Sequence, residues 1–202
     1  MMIQKHKMLK TDYQIVLASN SPRRKELLAG LDVPFTVKVV EGIDESYPAD
    51  LPVMDIAQYI ATKKAAAYQG DMKDNELVIT ADTIVVLGGD VLGKPKTLDE
   101  AKHMLYALSG KTHHVATGVC LTTKERQKSF SVVTDVTFKK LNDSEIDYYV
   151  EHYKPLDKAG AYGIQEWIGH IGVSHINCSY FNVMGLPVQR IYEEMLKMQE
   201  ES

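Results

Sequence analysis

Short apolar runs alternate with helical stripes along this chain, and that alternation predicts an α/β fold. Residues 15–18 read as a strand, and residues 22–30 as a helix that stops at Gly30. Residues 35–40 alternate like a strand and run into the acidic turn Gly42-Ile43-Asp44-Glu45. Val53, Ile56, Ala57, Ile60, Ala61, Lys64 and Ala65 fall on one helical stripe, which sets Lys64 at the edge of a buried face. Residues 77–81 and 83–87 form an apolar run around Asp82, and Gly88-Gly89-Asp90 then predicts a hairpin. Thr97 and Glu100 have capping-box spacing ahead of a helix that carries Ala101, Met104, Leu105 and Leu108 and stops at Gly110. Residues 115–123 and 129–139 read as paired strands. Asn142 and Glu145 cap a helix that turns Ile146, Tyr149, Val150 and Tyr153 inward. A loop-rich stretch follows, and residues 187–198 close the chain as an amphipathic helix.

Neither a repeat nor a long linker interrupts this order. At 202 residues the chain suits one domain, expected over 13–198, with a short extension at 1–12 and a tail at 199–202. Hydrophobic residues make up 45% and charged residues 25%, which argues against disorder. A net charge of −4 gives no reason to expect nucleic-acid binding. No apolar run approaches the roughly 20 residues that span a membrane. The first dozen residues have no apolar core, so they do not read as a secretory signal. Cys120 and Cys178 lack CxxC spacing and read as buried reduced thiols, which suits a cytoplasmic address.

The densest chemistry lies in Ser19-Asn20-Ser21-Pro22-Arg23-Arg24. Ser21 is a good N-cap, and Pro22 fits the first helical turn. The free amides of such a helix start favour an anion, and two guanidinium forks suit phosphate oxygens. An ordinary capped helix with solvated arginines fits the same residues. Asp82 is the sharpest acid. It either hydrogen-bonds backbone amides at a strand end, or binds Mg²⁺ and takes a proton from water beside phosphorus. Adjacent His113 and His114 point to opposite faces of a strand and cannot chelate together. His170 and His175 share the loop-rich stretch without a cysteine partner. No GxxxxGK[ST] loop occurs, and no GxGxxG follows a strand, so kinase and dehydrogenase readings fall away.

The serine–proline–arginine segment resembles the opening signature of the Maf family of nucleotide pyrophosphatases. Thr80-Ala81-Asp82-Thr83, Gly93-Lys94-Pro95, Ser109-Gly110-Lys111-Thr112-His113, the segment from Asp157 to Gln165, and Gly185-Leu186-Pro187 resemble it too, in the family's order. The resemblance implies a Maf/ITPase-like fold, a mixed twisted sheet flanked by helices with two lobes and a central cleft. It implies hydrolysis of a nucleoside triphosphate to monophosphate and pyrophosphate, and the loop ending at Gln165 resembles the branch acting on dTTP and UTP. Asp82, Glu45, Lys64 and Lys94 are then the expected catalytic residues. Ser19, Ser21, Arg23, Arg24, Thr83 and Gln165 are expected to bind substrate, and Glu45 and Asp82 to hold Mg²⁺ or Mn²⁺. The expected partner is the nucleotide, with a homodimer allowed and neither nucleic acid nor membrane involved. Gln165 carries a physical rationale, since its amide offers both a donor and an acceptor to the imide edge of uracil or thymine. Tyr162 fits either the base pocket or the core, and Asp44 reads as solvated. A nucleotide-binding regulator of cell division without turnover is the alternative. Two positions depart from the family pattern: Glu166-Trp167 follow the glutamine where glycine is frequent, and Cys178 stands where a glycine often precedes Ser179-Tyr180.

Overall fold

The computed structural model describes residues 11–200, so the expected extension lies almost wholly outside the described residues. One seven-stranded sheet organises the chain. Its strands are β1 (Gln14–Leu17), β2 (Phe35–Val37), β3 (Glu76–Leu87), β4 (Asp90–Leu92), β5 (Thr112–Thr122), β6 (Gln127–Phe138) and β7 (Val173–Asn177). They lie in the order β2-β1-β3-β5-β6-β7, with β4 paired to β3. β1 runs parallel to β2 and β3, and every other pairing is antiparallel. The helices are α1 (Pro22–Ala29), α2 (Ile56–Ala66), α3 (Leu98–Leu108), α4 (Asp143–Tyr153), α5 (Trp167–Gly172), α6 (Tyr180–Val183) and α7 (Val188–Glu200). The expected mixed α/β sheet is thus observed.

The split of the sheet at β3 matters most for the site. One edge of β3 pairs with β5 from Val78 to Val86. The opposite edge is shared, with β1 taking Glu76 to Ile79 and β4 taking Val85 to Leu87. Between them the backbone around Asp82 faces a gap rather than a strand. Side chains alternate along β3, so neighbours in this gap point to opposite faces.

On one face, α2 packs through Ile56, Ala57 and Ile60 against Ile84, Val86 and Ala116. On the other, two cores lie side by side. The first gathers Leu27 and Leu28 of α1 and Ile191 and Met195 of α7 over Leu77, Ile79, Val119 and Leu121. The second gathers Leu105, Ile146, Tyr149 and Ile168 over Val85, Val115, Val136 and Phe138. These are the two expected lobes.

Several expectations are corrected. Asp82 lies in mid-strand rather than at a strand end, because the ladder continues through the Asp82–Gly118 pair. The second strand ends at Val37 rather than at residue 40, since its partner β1 ends at Leu17. The stretch read as loops contains α5, β7 and α6, with His170 on α5 and His175 on β7. Cys178 is exposed at φ +96°, while Cys120 is buried. The last helix continues to Glu200, into the expected tail. Among the described residues, no helix is long and apolar enough to cross a membrane.

Candidate active site

A cleft of about 840 Å³ opens at the split in the sheet. All ten residues singled out from the sequence line it: Ser19, Ser21, Arg23, Arg24, Glu45, Lys64, Asp82, Thr83, Lys94 and Gln165. Asp157 and Lys158 line it as well, so five cationic side chains face three carboxylates in a protein that is acidic as a whole. That local excess suits a polyanion.

The floor is built by β1 and α1. Ser21 caps α1 in extended conformation, and its Oγ accepts the Arg24 N–H at 3.4 Å. Ser19 Oγ accepts the Ser21 N–H at 3.2 Å. Both oxygens act as acceptors, which leaves their hydroxyl protons for an anion at the helix start.

The two arginines have different fates. Arg23 stays half-exposed and meets Asp157 Oδ2 at 3.3 Å. Arg24 turns into the gap and completes the open edge of β3. Its Nη1–H donates to the Ala81 carbonyl at 2.9 Å, Nε–H to the Gly185 carbonyl at 2.8 Å, and Nη2–H to Thr83 Oγ1 at 3.1 Å. Burial pulls its pKa down from the ordinary value, and the Asp82 carboxylate pushes it back up. Arg24 thus has three of its donors engaged by protein oxygens, whereas Arg23, among the described residues, meets only Asp157. Thr83 Oγ1 also bonds Thr117 Oγ1 at 2.9 Å.

Asp82 points to the opposite face, toward α2. Lys64 Nζ donates to Asp82 Oδ1 at 2.8 Å and lies 2.9 Å from Glu45 Oε1. Side-chain exposures of 15% for Lys64 and 14% for Asp82 make this a largely desolvated pair, unlike a surface ion pair. α2 is held at that distance from below, where Thr80 Oγ1 donates to the Ala61 carbonyl at 2.7 Å. Lys94 approaches from the loop after β4, whose Gly93 carbonyl accepts the Gly160 N–H at 3.1 Å.

Sequence reasoning overlooked the clamp on the Glu45 loop. Lys63 Nζ donates to Asp44 Oδ2 at 2.7 Å, to the Ser46 carbonyl at 3.0 Å and to Ser46 Oγ at 3.2 Å. Asp44 in turn accepts the Ser46 N–H at 2.9 Å. The lysine and the serine hold the Asp44 carboxyl far below the usual carboxylate range. Asp44, which read as solvated, and Ser46 thus flank Glu45 and are both held by Lys63. The adjacency of Asp44 to Glu45 and of Lys63 to Lys64 was the available signal.

Tyr162 lines the cleft with its body in the second core, and its Oη lies 2.7 Å from His113 Nε2. Burial pushes the Tyr162 phenol up and pulls His113 down to about 4, so this histidine is neutral at physiological pH. His114 pairs instead with Asp135 at 2.7 Å.

The donor set fits a divalent cation that arrives with its substrate. Glu45 and Asp82 converge on one ammonium, and Mg²⁺ is commonly held by one or two carboxylates with phosphate oxygens and water completing its shell. Among the described residues, no group of three or more His, Cys, Asp and Glu side chains is placed to hold a metal by itself.

A family model described as Maf-like protein matches residues 14–198. The chain belongs to the Maf family. A Maf relative in Phocaeicola vulgatus, named dTTP/UTP pyrophosphatase, is 63% identical over 92% of this chain and 96% of its own. A Bacteroides thetaiotaomicron protein of the same name is 58% identical over the same shares. Among solved structures, a HAM1 protein from Coxiella burnetii aligns over 93% of this Maf chain and 99% of its own, at 14% identity and a TM-score of 0.47.

Proposed function

We propose that this Maf protein hydrolyses pyrimidine nucleoside triphosphates, dTTP and UTP foremost, to the monophosphate and pyrophosphate. The names of its relatives support the substrate and reaction. The observation that carries the reading is the Glu45–Lys64–Asp82 cluster at the rim of a cation-rich cleft. That cluster favours turnover over a nucleotide-binding regulator of cell division.

Ser19, Ser21 and Arg23 receive the phosphates over the start of α1, where hydroxyls, amides and a guanidinium converge. Lys64 engages Asp82 Oδ1, so Oδ2 is the oxygen that takes a proton from water. The water oxygen then bonds to the α-phosphorus, the bond from that phosphorus to the bridging oxygen breaks, and pyrophosphate leaves. Lys94 and Arg23 neutralise charge on the leaving group, and Lys64 on the reacting phosphoryl oxygens. Mg²⁺ or Mn²⁺, held by Glu45 and Asp82, would supply electrostatic relief between these carboxylates and the triphosphate. Gln165 reads the base edge. The free thiols Cys120 and Cys178 support a cytoplasmic setting.

The test is product identity in ¹⁸O-labelled water with Mg²⁺ and UTP. Pyrophosphate with label in UMP is the expected result. Orthophosphate with UDP would overturn the reading. Asp82→Asn should lower the rate by roughly 10²–10⁴-fold, and a folded variant with wild-type turnover would remove Asp82 from its role.

A further inference from the structure

An amide that reads a base has a difficulty of its own. The oxygen and nitrogen of glutamine are nearly alike in size and reach, so a freely turning amide satisfies uracil in one orientation and cytosine in the other. Selection of one pyrimidine therefore requires surroundings that fix the amide. Those surroundings are built from Glu166, the residue that departs from the family pattern, together with Tyr149 and Lys158.

Gln165 sits within a turn closed by the Glu166 N–H donating to the Gly163 carbonyl at 3.0 Å. A single hydroxyl holds both ends of that turn. The Gly163 N–H donates to Tyr149 Oη at 3.0 Å, and the Tyr149 hydroxyl donates to Glu166 Oε2. Tyr149 is itself wholly buried on α4, so it serves as a fixed post. Lys158, 8% exposed, neutralises Glu166 at 3.1 Å and grips Asp157 at 2.7 Å. Behind the turn α5 approaches so closely that a Cβ on Gly169 would lie 1.8 Å from the Ile164 carbonyl oxygen. The turn has no room to retreat.

The same contacts bear on which way the amide faces. A Cβ on Gly163 would meet Glu166 Oε2 and Gln165 Nε2 each at 3.1 Å, so both atoms crowd the bare face of this glycine. A carboxylate there favours the NH₂ end of the amide and turns Oε1 away. An outward oxygen accepts from the N3–H of uracil or thymine and opposes the lone pair on N3 of cytosine.

We propose that Tyr149, Lys158 and Glu166 are positioning residues for base selection, holding the Gly163–Glu166 turn and its glutamine amide so that uracil and thymine are accepted and cytosine is refused. The proposal rests on the assignment of Gln165 to the base edge.

The test compares Tyr149→Phe, Glu166→Gln and Gln165→Ala, with each of the first two also combined with the third. kcat/KM for UTP and CTP gives the preference in turnover, and Kd for UMP and CMP gives it without turnover. Each single variant should lower the uracil-over-cytosine preference about tenfold, mainly by weakening the uracil nucleotide. In the double variants the preference should fall no further than in Gln165→Ala alone, the signature of residues acting through one group. Equal losses on both nucleotides, or additive losses in the doubles, would overturn the proposal. So would a lowered preference in Gln165→Ala beside wild-type values in the other two. A wild-type preference in Gln165→Ala would instead remove the base assignment, and the proposal with it. Glu166→Gln keeps side-chain volume and an acceptor for Tyr149, so it carries the test if Tyr149→Phe melts early.

Discussion

One methyl group added at Gly118 should both destabilise the fold and disable the site. Gly118 lies on β5 directly opposite Asp82, and the backbone of α2 passes over it. A Cβ there would fall 2.2 Å from Ala57 C and Gln58 N, and 2.3 Å from the Ala57 carbonyl oxygen. Comfortable separations between such atoms are about 3.5–4.0 Å, so α2 must withdraw by more than about 1 Å. Overfilling of this kind costs about 1–3 kcal/mol, and Gly118→Ala belongs at the upper end because the opposing atoms are backbone. The same withdrawal carries Lys64 away from Asp82 and Glu45, whose contacts are 2.8 and 2.9 Å. A displacement of about 1 Å at reacting groups can cost 10²-fold in rate. Urea denaturation midpoints and pyrophosphate release from UTP measure the two effects. Gly70→Ala is the control: a Cβ there meets nothing within 4 Å, and its cost should stay within about 0.5 kcal/mol. If Gly118→Ala matched that control in stability and kept wild-type turnover, the close seating of α2 on β5 would be refuted.

Lys63→Met should release the Glu45 loop with little cost in stability, because the Lys63–Asp44 pair is exposed. A loss of about 10–100-fold in kcat/KM or in Mn²⁺ affinity is expected, with Lys63→Arg recovering part of it, and wild-type values in both would dismiss the clamp. His113 makes stability depend on pH in a known direction. Burial holds it at about 4, while the unfolded chain takes up the same proton near pH 6.5, so stability is lost as pH falls through that window. The loss amounts to as much as about 3 kcal/mol, and denaturation midpoints from pH 7.5 to 4.5 should flatten by that amount in His113→Gln.

What the sequence made legible was local or ordered by motif. Ser21, Thr97 and Asn142 each cap the expected helix, because an N-cap acts within three residues of itself. The Asn142–Glu145 capping box closes, whereas Glu100 reaches past Thr97 to the Lys96 N–H at 2.7 Å. The ten residues singled out from the sequence line one cleft. What remained hidden depended on distant partners. β7 has the polar pattern Val-Ser-His-Ile-Asn and becomes a strand only by pairing with β6, about 40 residues earlier. Nothing near Arg23 and Arg24 separates them; the carbonyls of Ala81 and Gly185, far along the chain, draw Arg24 into the gap. Glu166 likewise depends on partners outside its immediate neighbourhood, Tyr149 on α4 and Lys158.

The long strands β3, β5 and β6 also decide how the cleft can open. Leu77 and Ile79 of β3 lie in one core and Val85 in the other; Val119 and Val115 of β5 divide likewise, as do Phe130 and Val136 of β6. The lobes are therefore two stations on the same three backbones, and no linker joins them. A hinge swing of one lobe against the other would have to break or shear ladder pairs in the middle of the sheet. Nucleotide entry then falls to the segments that border the cleft without belonging to the sheet, the loop at residues 42–47 on one side and, on the other, the stretch around the exposed Asp157, ahead of the fixed turn. The Arg23–Asp157 contact lies on the latter segment. Amide exchange during binding should register there, while β3 and β5 exchange only when the whole molecule unfolds.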